Sequence, residues 1–268
     1  MVNKQSESVA VLSDIHGNRW ALEAVLDDIH RRGIRDMVNL GDSLYGPLDP
    51  AGTARILLEL DMPTVRGNED RIILDEPGRH GDSPSLPFVQ ASLAPEHCQW
   101  LRTLPATAVA FEDFFLCHGT PEKDNEYLLR EVTARGCRLL PAAAIGLKLK
   151  SIPQPIICCG HDHLPAFLRL PDGRRVINPG SVGLPAYRDD LPFPHAMEAG
   201  SPHARYTVVK RSRAGPSIEN IAIAYDWQSA AAVAVKNGRP DWAEYLASGR
   251  VSSQASDRIA NQICKEAK

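Results

Sequence analysis

Seven residues of this sequence have side chains suited to holding metal ions, and they sit in five short motifs: Asp14-Ile15-His16, Gly41-Asp42, Gly67-Asn68, His118 and Gly160-His161-Asp162-His163. Asp14, His16, Asp42, Asn68, His118, His161 and His163 offer carboxylate, amide and imidazole donors without any thiolate. Such a set suits Mn, Fe, Zn, Ni or Co rather than a soft thiolate-bound ion. It is too large for one tetrahedral ion and fits two ions that share a carboxylate. Two ions ~3.5–4 Å apart are the recurring device for hydrolysing phosphate esters. Taken singly, Asp-x-His or Gly-Asp reads as an ordinary turn. The conjunction is what counts, because every motif closes an apolar, strand-like run and four of the nine histidines fall inside the motifs.

The elements that must carry these residues follow from hydrophobic period and turn chemistry. Ser8–Ser13 is a short apolar run. Apolar residues then recur at helical spacing from Arg19 to Arg32 (Leu22, Val25, Leu26, Ile29), and Gly33 stops the helix. Asp36–Leu40 is a second strand, Thr53–Leu60 a helix, and Pro63–Arg66 a third short strand leading into Gly67-Asn68. Strand and helix in alternation predict a parallel sheet with helical crossovers, whose ligands bind beyond the carboxyl ends of the strands. Gly78–Pro87 is a loop and Phe88–Leu104 a helix, together read as a cap inserted at about 75–105. Ala106–Phe111, Phe114–Cys117 and Pro155–Cys159 are strands, and Lys123–Arg135 and Ala142–Lys150 are weaker helical segments. Ala166–Leu170 and Arg175–Asn178 form a hairpin, Leu184–Pro202 a Pro-rich loop, and Ala204–Lys210 and Ser217–Ala224 the last strands. Two helices follow, Gln228–Lys236 and Asp241–Ala247. The expected organisation is one domain over 1–249 with a polar tail at 250–268.

Composition narrows the function class. A 43% hydrophobic fraction supplies a sizeable core, and a net charge of -3 without a basic stripe counts against a nucleic-acid partner. No stretch reaches the ~20 continuous apolar residues of a membrane span, and the polar start lacks the apolar core of a signal peptide. Six cysteines include the adjacent Cys158-Cys159 and no Cys-x-x-Cys. A reducing, cytoplasmic setting is the expectation. Oligomeric state is not encoded in any pattern here.

The motif set resembles the calcineurin-like metallophosphoesterases, from about Ser8 to Gly183. It looks closest to the small bacterial and archaeal phosphodiesterase branch that includes diadenosine tetraphosphatase relatives. Ser13-Asp14-Ile15-His16-Gly17-Asn18, Val65-Arg66-Gly67-Asn68, Cys117-His118-Gly119-Thr120-Pro121 and Asn178-Pro179-Gly180-Ser181-Val182-Gly183 carry that likeness. The resemblance implies an α/β fold, a two-sheet sandwich flanked by helices. It implies that Asp14, His16 and His163 hold one metal, that Asn68, His118 and His161 hold the other, and that Asp42 bridges them. A bridging water or hydroxide is then the nucleophile.

One position departs from the family pattern. Where many members have His after the Gly-Asn asparagine, this chain has Glu69. A carboxylate beside two cations is expected to stay ionised and so cannot protonate a poor leaving group. Diesters, aryl esters and phosphoanhydrides are therefore expected over alkyl monoesters. Glu69 is equally suited to the first turn of a helix, where an acid meets the dipole. Asp42, Asn68 and Glu69 are the catalytic candidates. Arg66, Asn18 and Ser181 are candidates for substrate contact, with Arg71 and Arg188 as further phosphate-binding arginines. The expected function is a binuclear phosphodiesterase on a small nucleotide or related compound. A dinucleoside polyphosphate hydrolase and a non-catalytic protein-binding scaffold are the alternatives.

Overall fold

The computed structural model describes residues 7–75, 84–212 and 215–252. The expected loop at 78–87 and the polar tail at 250–268 therefore lie largely outside the described residues. Two sheets form the middle of the molecule. The first runs β13-β12-β1-β2, with β1 (Ser8–Leu12) parallel to β2 (Asp36–Asn39) and antiparallel to β12 (Ala204–Lys210), which pairs with β13 (Ser217–Ile223). The second runs β3-β4-β7-β9-β8. Here β4 (Phe114–Cys117), β7 (Ile156–Cys158) and β9 (Arg175–Asn178) are parallel, with β3 (Thr107–Ala110) and β8 (Ala166–Arg169) antiparallel at the edges.

Side chains alternate across a strand, and the sequence uses both faces. Val9 and Val11 of β1 point between the sheets, where they meet Val38, Phe114, Leu116, Ile156, Ile177 and Val209. Ala10 and Leu12 point the other way and pack with Leu22, Val25 and Ile29 of helix α1 (Arg19–Arg31). The outer face of the second sheet, through Phe115, Ile157 and Val176, is covered by Ile145 and Leu149, from and beside α6 (Ala142–Lys148). The order is helices, sheet, sheet, helix, the sandwich expected from the sequence. Each fully buried Leu, Ile, Val or Phe contributes roughly 1.5–3 kcal/mol.

Local chemistry explains most boundaries. Asn18 caps α1 by accepting from the Ala21 N–H at 3.1 Å. Helix α2 (Pro50–Glu59) begins earlier than the apolar spacing predicts, because Asp49 caps it through the Gly52 N–H and Pro50 takes the first helical position. The segment read as a third strand makes only one parallel bridge, Asn39 to Thr64, before α3 (Asn68–Ile73) starts. The helix predicted over Phe88–Leu104 is two, α4 (Leu86–Ser92) and α5 (Pro95–Thr103), since Pro95 lacks an N–H and starts a new helix. Both pack on α2, and α4 also meets α3. Of the expected cap segment, Pro84 lines the cavity described below.

Two segments differ outright. Lys123–Arg135 is not helical: its end forms β5 (Arg130–Thr133), which pairs with β6 (Gly136–Leu139) around a tight turn. Its β-branched Val132 and Thr133 and the positive φ of Gly136 suit a hairpin. The loop expected at Leu184–Pro202 contains a second hairpin, β10 (Ala186–Asp189) with β11 (His195–Glu198). Its prolines 192 and 194 fall in the turn, where a missing N–H costs no ladder bond. Helices α7 (Trp227–Lys236) and α8 (Pro240–Ser248) pack on each other, and α8 also meets β10. No helix among the described residues is long and apolar enough to cross a membrane.

Candidate metal centre

All five motifs lie at the same end of the two sheets, just past the carboxyl ends of β1, β2, β4 and β7 and at the start of α3. Backbone bonds lace these loops together. Asp14 N–H donates to Gly41 O at 3.0 Å and His16 N–H to Asp42 O at 2.9 Å, tying the first motif to the second. Gly160 N–H donates to His118 O at 2.7 Å, and Gly183 N–H to Asp14 O at 3.0 Å. The approach is close enough at Gly67 that any Cβ there would overlap the Asp42 carboxylate.

Five of the seven predicted ligands, Asp14, His16, Asp42, His161 and His163, have positive φ between 51° and 71°. Only two other non-glycine residues among those described do, Phe111 and Glu112 in the β3–β4 turn. Left-handed backbone at a residue with a Cβ is unfavourable and persists where the surroundings impose it, typically at functional sites.

The inward atoms form compact groups. One donor atom each from Asp14, His16 and His163 lies within 4.8 Å of the others, and the same holds for Asp42, His118 and His161, and for His16, Asp42 and Glu69. Asp42 thus belongs to two groups. Asn68 Oδ1 reaches His118 Nε2 at 3.0 Å. These clusters could hold metal ions; they contain six of the seven sequence-predicted ligands, and the seventh, Asn68, adjoins them through His118.

The tautomers make the case sharper. His16 Nδ1 faces Tyr45 O at 3.0 Å, His118 Nδ1 faces Leu40 O at 2.8 Å, and His163 Nδ1 faces Leu184 O at 2.7 Å. Carbonyl oxygens only accept, so each Nδ1 carries a proton and each neutral ring turns a bare Nε2 inward. This outer hydrogen bond is the usual support of a metal-binding histidine. Yet His16 Nε2 and His163 Nε2 are 3.0 Å apart, and His118 Nε2 lies 3.2 Å from Asp42 Oδ2. Lone pairs so placed repel unless a cation or a proton sits among them. In the protein alone protons serve: burial opposes charge on His118, but Asp42 outweighs it and raises the imidazole to about 10. His16, opposed by burial and favoured by Glu69, rises to about 9. Burial and the charge of His118 push His161 down to about 4. Burial would raise both aspartates, but the histidines prevail and lower them, His163 foremost at Asp14 and His118 at Asp42.

For Glu69 the structure adds a hydrogen-bond partner. Its Oε2 lies 3.1 Å from His16 Nδ1, sharing that proton with Tyr45 O. In the protein alone burial pushes the carboxyl up to about 7 although His16 pulls it down; the expected lowering is the one two cations would cause. Its place in the first turn of α3 is as expected. The substrate-contact candidates fare differently again. Asn18 is wholly buried, and its amide donates to Gly183 O at 2.9 Å and Tyr225 Oη at 3.2 Å while its oxygen caps α1. Ser181 Oγ donates to Asp14 O at 2.7 Å and accepts from Leu184 N–H at 2.8 Å. Both hold the Asp14 loop and have no group left over for a substrate. Arg66 bonds Pro105 O through its backbone and is not among the residues lining the cavity over the site. Arg71 is engaged in a two-point pair with Asp124, and Arg188 does line the cavity.

Two acids that the motifs concealed hold the loops in place. Asp70 is fully buried and accepts from Ser43 N–H at 2.9 Å and Gly67 N–H at 3.2 Å, joining the Asp42 and Asn68 loops. The sequence signal was its place three residues past the cap of α3. Asp162, between the two histidines, accepts from Asn178 Nδ2 and Leu164 N–H, each at 2.9 Å, and from Arg130 Nε at 3.1 Å. The cavity above the donors has about 310 Å³. Arg239, Trp242 and Tyr245 of α8 and its flank form a wall of it, a contribution that no motif announced.

A family model described as the calcineurin-like phosphoesterase superfamily domain matches residues 8–194. The chain belongs to that family. The match takes in all five motifs of this phosphoesterase. An uncharacterised protein of Methanocaldococcus jannaschii is 27% identical over 259 residues, covering 87% of this chain and 94% of that protein. Among solved structures, a metallophosphoesterase from Sphaerobacter thermophilus superposes with a TM-score of 0.71 at 24% identity, covering 91% of this chain and 100% of the other. A hypothetical protein from Pyrococcus horikoshii gives a TM-score of 0.69 at 19% identity, covering 91% and 99%. At those identities the two structures bear on the fold alone.

Proposed function

We propose that this phosphoesterase is a two-metal phosphodiesterase acting on a small phosphate compound. The observation that carries the reading is the crowding of imidazole nitrogens and carboxylate oxygens at one place, with His16 Nε2 and His163 Nε2 at 3.0 Å and His118 Nε2 3.2 Å from Asp42 Oδ2. A donor set so arranged fits cations. In this reading Asp14, His16 and His163 hold one ion, Asn68, His118 and His161 hold the second, and Asp42 serves both. When bound, such a pair supplies a water that ionises near neutral pH and positive charge against the phosphate oxygens.

The chain's own residues do the rest. Asn68 contributes a neutral oxygen and limits the negative charge facing the phosphate. Leu40, Tyr45 and Leu184 carbonyls fix three rings and their tautomers. Glu69 accepts from His16, and a carboxylate so engaged orients the imidazole rather than protonating a leaving group. That favours diesters and anhydrides over alkyl monoesters. The complete ligand set speaks against a scaffold that has lost its chemistry. The test is turnover of bis-(p-nitrophenyl) phosphate by the Mn-supplemented protein and by Asp42→Asn. Metal-dependent turnover that disappears in the variant supports the reading, and no metal-dependent turnover by the natural sequence refutes it.

A further inference from the structure

A second cavity opens on the other side of the same donors. It has about 630 Å³, within the range of small-molecule sites, and it shares Asn68, His161 and Asp189 with the first. Tyr127 and Tyr187, whose hydroxyls are 2.7 Å apart, stand at the division, Tyr127 lining the second cavity and Tyr187 the first. A phosphorus atom held beside Asn68 and His161 therefore has room for an organic group on either side. The second cavity is walled by Tyr127, Val132, Leu191 and Pro192, with the cations Arg130 and Lys148 and the acids Glu126 and Asp189 around it; Glu126 is paired with Lys123. Arg130 is committed to Asp162, while Lys148 makes no ion pair among the described residues. Leu191, at the tip of the β10–β11 hairpin, is 75% exposed, and Phe193 beside it is 40% exposed.

We propose that this cavity is a binding subsite for the second arm of a two-armed phosphate substrate. That arm is a planar aromatic or heterocyclic group carrying a negative charge of its own. The ring lies against Tyr127 and the Leu191-Pro192 tip, and the anionic substituent meets Lys148. This rests on the phosphodiesterase reading for the identity of the reacting centre, but the cavity itself is formed by the protein alone.

Binding of ethenoadenosine monophosphate to metal-free protein, followed by fluorescence anisotropy, tests the subsite without turnover. The natural sequence is expected to bind. Lys148→Glu weakens binding about fivefold, the upper end for an exposed charge pair, and Val132→Trp, which fills the cavity, weakens it about tenfold or more. Absence of binding, or variants that bind as tightly as the natural sequence, overturns the subsite. Arg138→Ala, an exposed position on the same β5–β6 hairpin outside the cavity, controls for damage to the hairpin. With Mn loaded, adenylyl-adenosine bearing a 5′ phosphate is expected to show a lower KM than the unphosphorylated dinucleotide, and Lys148→Glu removes the difference. Equal KM values in the natural sequence also overturn it. Bis-(p-nitrophenyl) phosphate is assayed on the same preparations. Its turnover without the dinucleotide preference sinks the subsite alone, whereas no metal-dependent turnover of any substrate sinks the phosphodiesterase reading and leaves the binding arm to decide the subsite.

Discussion

Replacing Glu69 separates the orienting role from a proton-donating one. Glu69 Oε2 lies 3.1 Å from His16 Nδ1 and the side chain is 25% exposed, so its charge is partly screened by water. Glu69→Gln keeps an oxygen acceptor and removes the charge. A charge-assisted hydrogen bond contributes about 1.5–3 kcal/mol and a neutral one about 0.5–1.5, so after screening the exchange costs about 1 kcal/mol. That is about fivefold in affinity for the ion held by His16, at 1.4 kcal/mol per decade. Glu69→Ala leaves Tyr45 O as the acceptor for His16 Nδ1 and is expected at the lower end, about 10-fold, of the range found for lost outer partners of metal-binding histidines. Calorimetric titration of chelator-treated protein with Mn at pH 7.5 reads both, and bis-(p-nitrophenyl) phosphate turnover at saturating Mn reads what remains. The order natural sequence, Gln, Ala in affinity, with turnover largely recovered at high Mn, is expected. Should Glu69→Ala bind Mn as tightly as the natural sequence yet lose turnover at saturation, the orienting argument is wrong and Glu69 acts on the reacting groups.

Further outcomes follow from the same geometry. Glu69→His, which supplies a proton donor, is expected to raise alkyl monoester hydrolysis relative to diester hydrolysis, and an unchanged ratio in a paired assay would count against the leaving-group argument. Because His16 and His118 hold protons up to about 9 and about 10, Mn binding at pH 7 is expected to release about two protons, read from heats in buffers of different ionisation enthalpy. Their pKa values are raised on folding, so in chelated protein their stabilising contribution is complete below about 6.5 and is lost as pH climbs through about 9 to 10. The melting temperature of chelated protein should therefore fall across that alkaline interval. Asp162→Ala leaves Arg130, which is 14% exposed, without its partner, and is expected to cost about 3 kcal/mol. The measure is a melting temperature lower by ~10 °C together with weaker Mn binding.

What the sequence revealed and what it hid divide along physical lines. The converging side chains were readable because imidazole and carboxylate groups placed just after apolar strands have few bland explanations when five such motifs coincide. The strands beneath them were readable because both faces are buried, which demands continuous apolar runs such as Ser8–Leu12 and Phe114–Cys117. Asn18 and Ser181 were read toward substrate because they adjoin motifs, yet proximity along the chain does not tell whether a side chain faces the cavity or the loop behind it. Arg66 lines neither cavity. The β5–β6 and β10–β11 hairpins were missed since four-residue strands carry little periodicity and prolines mask the second. Asp70 and Asp162 look like surface acids until folding buries them. Arg239 and Trp242 reach the cavity only because α8 packs against β10, a relation between distant segments that no local pattern encodes.

The lacing of the ligand turns by main-chain bonds has an outcome for the life of the protein. A cage whose turns are tied by main-chain bonds takes part of its order from the fold itself, whereas a zinc finger takes nearly all of it from the ion. Chelation is therefore expected to lower the melting temperature while leaving a cooperative transition, which calorimetry reads. Which element fills the cage is left to supply and to the general ranking of divalent affinities, so the same polypeptide purified from differently fed cells would carry different ions.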